Sequence, residues 1–197
     1  MQINSFAWVR RFMPNLSRLC CKLTIIIIWS VVSLAVHADR QATADEPKLR
    51  AAIVLGIIRY SSWPDDVDMS GQLNLCSIGA PQSEQILTQV NGQHKYHDLA
   101  IMVFPLSKSQ PKLEKCHALI IGPALDNKSA RYFIERNGSH GLLTICDGCQ
   151  INRSTAMVTL VRRDKRIAFH VDLALSNSAG ISFSSALLEL ALKVSEK

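Results

Sequence analysis

Cys146-Asp147-Gly148-Cys149 is the sharpest chemical motif in the sequence. Two thiols at this spacing can exchange disulfides with a substrate when the first begins a helix, because the helix amino terminus stabilises a thiolate. Here the motif follows an apolar run, and the residues after it, Gln150 to Arg153, have no helical pattern. We therefore expect a structural disulfide that pins a loop, and we keep a thiol oxidoreductase as an alternative.

The positions of the other four cysteines indicate whether the chain forms further disulfides. Cys20 and Cys21 precede residue 38, whereas Cys76 and Cys116 lie in apolar segments of the body. An even set of cysteines in an exported domain tends to form disulfides, and four cysteines allow three pairings. We favour Cys76–Cys116 beside Cys146–Cys149, provided that the two segments are neighbouring strands. A zinc site would need further ligands in reach, and the apolar surroundings of Cys76 and Cys116 disfavour it.

Other residue types of catalytic interest form no convincing set. His94 and His97 have a metal-ligand spacing but lie in a polar, glycine-containing stretch, which predicts a loop. His117 and His170 lie in apolar segments and are expected to be core or edge histidines. Ser184 lacks the glycine pattern of a nucleophile elbow. We expect no catalytic residues, no metal and no cofactor.

The first 38 residues have the three parts of a secretory signal. They contain four basic residues and no acidic ones, an apolar stretch over 23–36, and small residues leading to Ala38. The apolar stretch is shorter than the roughly 20 residues of a spanning helix, which disfavours a retained anchor. Cleavage after Ala38 predicts a periplasmic chain without membrane insertion. Its charge is 22 − 4 = 18 basic minus 16 acidic residues, or +2, which gives no reason to expect nucleic-acid binding.

The elements that must position the cysteines alternate between strands and helices. After a flexible lead over 39–47, a helix is predicted from Lys48 to Tyr60, ended by Trp63-Pro64. Four apolar strands follow, with helices after the first and the third. The strands are Gln72–Ile78, Leu99–Phe104, Cys116–Ile121 and Gly141–Ile145, and the helices are Pro81–Val90 and Asn127–Asn137. Continuous apolar strands separated by helices predict a parallel sheet covered on both faces.

The last third changes character. Ala156–Val161 and Ile167–Val171 flank a charged turn and predict an antiparallel hairpin. A final helix over Ser185–Val194, mostly buried and capped by Ser182 or Ser184, is expected to follow. The predicted fold is one α/β domain over 48–197, a three-layer Rossmann-like sandwich. It has about four parallel strands, a C-terminal antiparallel hairpin and helices on both faces.

Several of these segments occur together, in this order, in one known family. The helix Lys48–Ala52 leads through Arg59-Tyr60 to Trp63-Pro64. Later segments continue the pattern to near the end of the chain: Leu73–Gly79, Cys116–Ile121, Leu142–Asp147, Ile167–Val171 and Ala179–Ala191. The ordered set resembles the YfiR-like periplasmic proteins.

The resemblance implies an exported, non-enzymatic α/β domain with structural cysteine pairs that forms homodimers. Trp63, Pro64, Gly79 and Gly180 match structural positions of the family motif. Such proteins bind the periplasmic sensor domain of an inner-membrane diguanylate cyclase and hold it inactive. Release under envelope or redox stress raises cyclic diguanylate and promotes biofilm growth. The alternative is a periplasmic receptor with a small ligand at the carboxyl ends of the parallel strands.

Overall fold

An eight-stranded sheet with mostly parallel neighbours is the centre of the fold. The computed structural model describes residues 46–69, 71–107, 116–137, 140–149, 155–164 and 166–196. These belong to one compact unit over Asp45–Lys197, separate from Met1–Ala44. The predicted signal peptide, residues 1–38, lies outside the described residues.

The elements are numbered in chain order. The described helices are α1 (46–59), α2 (Glu84–Gln89), α3 (Asn127–Asn137), α4 (Leu173–Ser178) and α5 (Ser185–Leu190). The strands are β1 (Ser61–Ser62), β2 (Gln72–Ile78), β3 (Lys95–Tyr96), β4 (Leu99–Pro105), β5 (Ala118–Ile121), β6 (Leu143–Asp147), β7 (Val158–Arg163), β8 (Arg166–Asp172), β9 (Ser182–Phe183) and β10 (Lys193–Ser195). The large sheet has the order β10-β8-β7-β6-β5-β2-β4-β3, and β1 pairs with β9 separately.

Side chains of the central strands alternate between two apolar clusters, as the two-residue period of a strand requires. Leu73 and Leu75 of β2 enter a cluster that also contains side chains of α1 and α2. Cys76 and Ile78 of the same strand enter a second cluster, which contains Ala130 and Phe133 of α3. Both faces of β2 are therefore buried over its last four residues, Leu75–Ile78, as expected for a central strand of a parallel sheet.

The prediction of a mixed α/β fold with mostly parallel strands is confirmed. β2, β4, β5 and β6 are the four strands expected to be parallel, and β7 adds a fifth because it pairs parallel with β6. β7 and β8 form the predicted antiparallel hairpin. The helix Asn127–Asn137 was predicted with the bounds that the structure has.

The C-terminal end differs from the prediction. Ser184 caps α5 as expected, since its side chain accepts a hydrogen bond from the amide of Leu187. The helix ends at Leu190, which is 70% exposed, so the prediction of a mostly buried helix to Val194 is wrong. The chain instead becomes extended and pairs parallel with β8, as Val194 opposite Val171 shows. A free sheet edge offers backbone partners that a leucine-rich pattern alone does not reveal.

Several boundaries also move. Helix α1 already includes residues 46 and 47, which were expected in the flexible lead. Helix α2 begins at Glu84 rather than at Pro81, and β5 begins at Ala118 rather than at Cys116. Strand β6 runs on to Asp147, inside the cysteine motif. The short elements α4, β1, β3 and β9 have no counterpart in the prediction, because two to six residues carry little periodic signal.

Candidate functional site

Asp147, the last residue of β6, is fully buried, and its carboxylate accepts three hydrogen bonds. Its Oδ1 accepts a hydrogen bond from Nη1 of Arg50 at 2.9 Å. Its Oδ2 accepts from the backbone amide of Ser83 at 2.7 Å and from the Ser83 hydroxyl at 2.6 Å. A buried carboxylate is tolerated only when it is paired and hydrogen-bonded, and this one is both. It joins β6 to α1 and to the turn that precedes α2.

The ion-pair network continues from Arg50 to the protein surface. Glu46 Oε1 accepts from Nε and Nη2 of Arg50 at 2.9 and 2.8 Å. Glu46 Oε2 accepts from Nη1 of Arg162 on β7, whose side chain is 57% exposed. Two carboxylates and two guanidinium groups thus balance in charge along one chain of contacts. We call Glu46, Arg50, Ser83, Asp147 and Arg162 the Asp147 latch.

Sequence reasoning missed the Asp147 latch, although α1 contains a signal for it. Arg50 stands on the same helix face as Val54, Ile57 and Ile58, at the i, i+4, i+7 and i+8 spacing of a buried stripe. An arginine in such a stripe is buried, and a buried guanidinium needs a carboxylate partner. Asp147, at the end of an apolar strand, is a carboxylate that could be such a partner.

Both favoured cysteine pairs are joined in the structure. Cys76 and Cys116 lie with their Cα atoms 5.8 Å apart, and Cys146 and Cys149 lie 5.5 Å apart. Cys146 is 1% exposed, and it lies within a strand, one residue before its end, rather than at the start of a helix, so a substrate disulfide could not reach it. This geometry disfavours thiol oxidoreductase chemistry. The loop that the Cys146–Cys149 pair closes contains Asp147, so this disulfide constrains the backbone of one residue of the Asp147 latch.

Trp63 lies where α1 has ended and the chain turns towards the sheet. Its Nε1 donates to the carbonyl oxygen of His117 at 3.0 Å. Its ring meets that of Tyr96 edge-on, with centroids 5.1 Å apart, and the Tyr96 hydroxyl donates to the carbonyl of Ser61. Pro64 packs against Gly180, where an added Cβ would lie 2.6 Å from Cγ of Pro64. The Trp-Pro step therefore ties α1 to β3, β5 and the segment before β9.

His117 is a buried, hydrogen-bonded histidine, as one of the sequence interpretations held. Nδ1 accepts from the amide of Asn74 at 2.8 Å, so Nε2 carries the proton that is donated to the carbonyl of Asp68 at 3.0 Å. Desolvation lowers the pKa of His117 below its ordinary value of 6.5, against a smaller opposing effect of the Asp68 hydrogen bond. The neutral ring is the form that this environment requires.

The loops at the carboxyl ends of β2 and β5 are in direct contact with each other. Gly79, at φ +77°, and Gly122 lie so close that a Cβ on Gly122 would be 2.3 Å from the carbonyl oxygen of Gly79. The amide of Gly122 also donates to the carbonyl of Ile78 at 2.8 Å. The chain itself therefore fills the space between the loops after β2 and β5.

The other predicted positions take no part in a reactive cluster. His94 and His97 flank the short strand β3 and are exposed. Across the ranges that the structure describes, no three His, Cys, Asp or Glu side chains are placed to hold a metal ion. Within the same ranges, no helix is long and apolar enough to span a bilayer.

Comparison with known proteins assigns the family. No curated protein matches the chain. The profile of the YfiR/HmsC-like family, however, matches residues 47–192, from the start of α1 to the residue before β10. That range is well over half of the 197 residues and contains the Asp147 latch except for Glu46, the Trp-Pro step and both disulfides. The chain therefore belongs to the YfiR/HmsC-like family.

Proposed function

We propose that this protein is a periplasmic regulator that binds the sensor domain of an inner-membrane diguanylate cyclase and holds the enzyme inactive. Membership of the YfiR/HmsC-like family over residues 47–192 is the observation that carries the proposal, since YfiR-like proteins act with such a cyclase. The buried polar groups are consistent with it, because Asp147 and His117 are satisfied within the fold and present no reactive atom. The protein would act by contact and not by catalysis.

Export is part of the proposal. Residues 1–38 form a signal peptide that is removed after Ala38, so that the domain folds on the side where its cysteines can oxidise. The sheet lies between helical layers on its two faces, in a Rossmann-like three-layer arrangement. The mature protein forms a homodimer, which light scattering of the periplasmic protein tests.

Redox tuning would act through the Cys146–Cys149 loop. Reduction frees the backbone on either side of Asp147 and so loosens its hold on Arg50 and Ser83. Helix α1 and the start of α2 would then be held less firmly against the sheet. A repressor shifts its target only as far as it prefers the inactive state, so a looser surface would weaken repression.

Deletion and complementation in the natural host test the proposal. Loss of the gene should raise cellular cyclic diguanylate and biofilm mass, and the full chain should restore both. A matched chain lacking residues 1–38 keeps the same domain in the cytoplasm and should restore neither. Unchanged cyclic diguanylate after deletion would contradict repression, and full rescue by the cytoplasmic chain would contradict a periplasmic site of action.

A further inference from the structure

An open groove of about 350 Å³ runs between α1 and α2 above the β3–β4 edge of the sheet. Its walls are apolar: Ala52 and Gly56 come from α1, Ile86 and Val90 from α2 and the turn after it, and Ile101 from β4. It lies apart from the Asp147 latch and the Trp-Pro step, whose residues do not line it. We call it the α1 groove.

Basic side chains surround the α1 groove, and none of the described residues that line it is acidic. Lys48 and Arg59 stand on α1, Lys95 lies on β3, and His94 precedes it. Lys48 and Arg59 are eleven residues apart, or about 16 Å along a helix axis. The cations are thus spread over three helical turns, too far apart to converge on one small anion.

Gly56 is the feature of the groove that the fold does not explain. It lies inside α1, where glycine is less favourable than alanine by about 0.5–1 kcal/mol. A Cβ placed on it would have nothing within 4 Å, so no packing contact excludes a side chain. Glycine there keeps a notch open in the middle of an apolar wall, where another backbone can approach closely.

We propose that the α1 groove docks an acidic, amphipathic helical segment of the repressed cyclase's periplasmic domain, with its apolar face over Gly56. The inference rests on the proposed function and assigns the surface that performs it. Charge complementarity selects this occupant, since a rim whose described charged residues are all basic attracts an acidic partner. A second copy is disfavoured because a two-fold contact would place the cationic rims against each other.

Two substitutions test the groove without disturbing the fold. Lys95→Glu reverses one rim charge on an exposed side chain, and Gly56→Leu fills the notch with a better helix former. The probe is the purified periplasmic domain of the membrane diguanylate cyclase that the wild-type chain represses. Each variant should raise the Kd for this domain at least tenfold, and raised salt should weaken the wild type more than Lys95→Glu. The Tm of Gly56→Leu should equal or exceed that of the wild type.

Arg163→Glu is the matched control, because it reverses an exposed cation on the β7–β8 hairpin, outside the groove. It should leave the Kd unchanged. Folded groove variants that bind and repress like the wild type would overturn the groove assignment while leaving repression intact. A wild-type chain that lowers no cyclic diguanylate would instead refute the function itself. Groove variants that lose only self-association, by light scattering, would assign the groove to a dimer and contradict the proposal.

Discussion

Asp147 shows how a single residue can hold several elements in place. Its carboxylate meets a guanidinium of α1 and two donors of Ser83, with no exposed surface. Removing one member of a buried ion pair costs more than the pair contributes, because the other charge stays buried without compensation. The stability of the domain should therefore be more sensitive to Asp147 than to any exposed carboxylate of similar hydrogen bonding.

Asp147→Asn should lower the free energy of unfolding by about 3 kcal/mol. The asparagine side chain has nearly the same volume as the aspartate side chain. Its N–H group, however, faces a donor of Arg50 or Ser83, and the charge of Arg50 is left partly unbalanced. Urea unfolding of the oxidised protein measures the change. Asp126→Asn is the control, since Asp126 accepts two hydrogen bonds from Ser129 at the exposed start of α3. Asparagine caps as well as aspartate, so that variant should lose only a few tenths of a kcal/mol. Equal losses in the two variants would refute the latch.

His117 should make stability depend on pH in a defined direction. Its pKa is lowered in the folded state by desolvation, so the unfolded chain binds the proton more readily. The stabilisation is fully present above the ordinary value of 6.5 and is lost as pH falls towards the lowered folded pKa. Unfolding of His117→Gln and wild type between pH 7.5 and 5 should show the wild type losing its advantage on acidification. A difference between His117→Gln and the wild type that stays constant over this pH range would contradict the assignment.

At the scale of elements, the two disulfides constrain different parts of the chain. Cys76–Cys116 closes a loop with a sequence separation of 40, whereas Cys146–Cys149 has a separation of only 3. In the chain-entropy account the longer loop stabilises by about 4 kcal/mol and the shorter by about 2 kcal/mol. The first pair acts mainly on the unfolded chain, and the second acts locally on the residues around Asp147.

Two double variants, in which both cysteines of one disulfide are replaced by serine, distinguish these effects. Cys76→Ser with Cys116→Ser should cost about 4 kcal/mol, and Cys146→Ser with Cys149→Ser about 2 kcal/mol, by urea unfolding. Native-state hydrogen exchange should additionally show faster local exchange in the first turns of α1 and α2 for the second variant. Unchanged exchange in those turns would mean that the disulfide does not control the Asp147 latch.

The junction between the Trp-Pro step and the segment before β9 depends on a glycine. Gly180→Ala places a Cβ 2.6 Å from Cγ of Pro64, at a φ of +73°. Gly71→Ala is the matched control, with a φ of +91° and no atom within 4 Å of the added Cβ. Both variants share the cost of a left-handed alanine, so their difference reports packing alone. Gly180→Ala should lower the free energy of unfolding by about 1–3 kcal/mol more than the control, and equal losses would contradict a close contact.

Features that depend on neighbouring residues could be predicted from the sequence, whereas features that depend on contacts between distant residues could not. Strands such as Ala118–Ile121 are apolar on both faces and were found from the local pattern. The C-terminal strand Lys193–Ser195 was missed, because its conformation depends on the free edge of β8. The cysteine motif was identified, but the partners of Asp147 lie 97 and 64 residues away. The position of Arg50 in a buried stripe indicates that it needs a carboxylate, but not which carboxylate. Side chains that join distant elements are what a pattern along the chain cannot supply.

At the scale of the whole molecule, the carboxylate of Asp147 and the ring of His117 face inward, whereas the α1 groove faces outward. The Asp147 latch and the Trp-Pro step hold α1 on the sheet. The opposite side of the same helix lines the α1 groove. We infer that the fold serves mainly to present this helix to a partner.

Addition of the mature protein, purified from the periplasm, to spheroplasts of the deletion strain tests the central claim most directly. Spheroplasts expose the outer face of the inner membrane, so the protein can reach a cyclase sensor domain without export. Cyclic diguanylate should fall several-fold as the protein is titrated, and it should not fall in spheroplasts that also lack the partner cyclase. A level that stays constant at saturating, folded protein would contradict repression by contact.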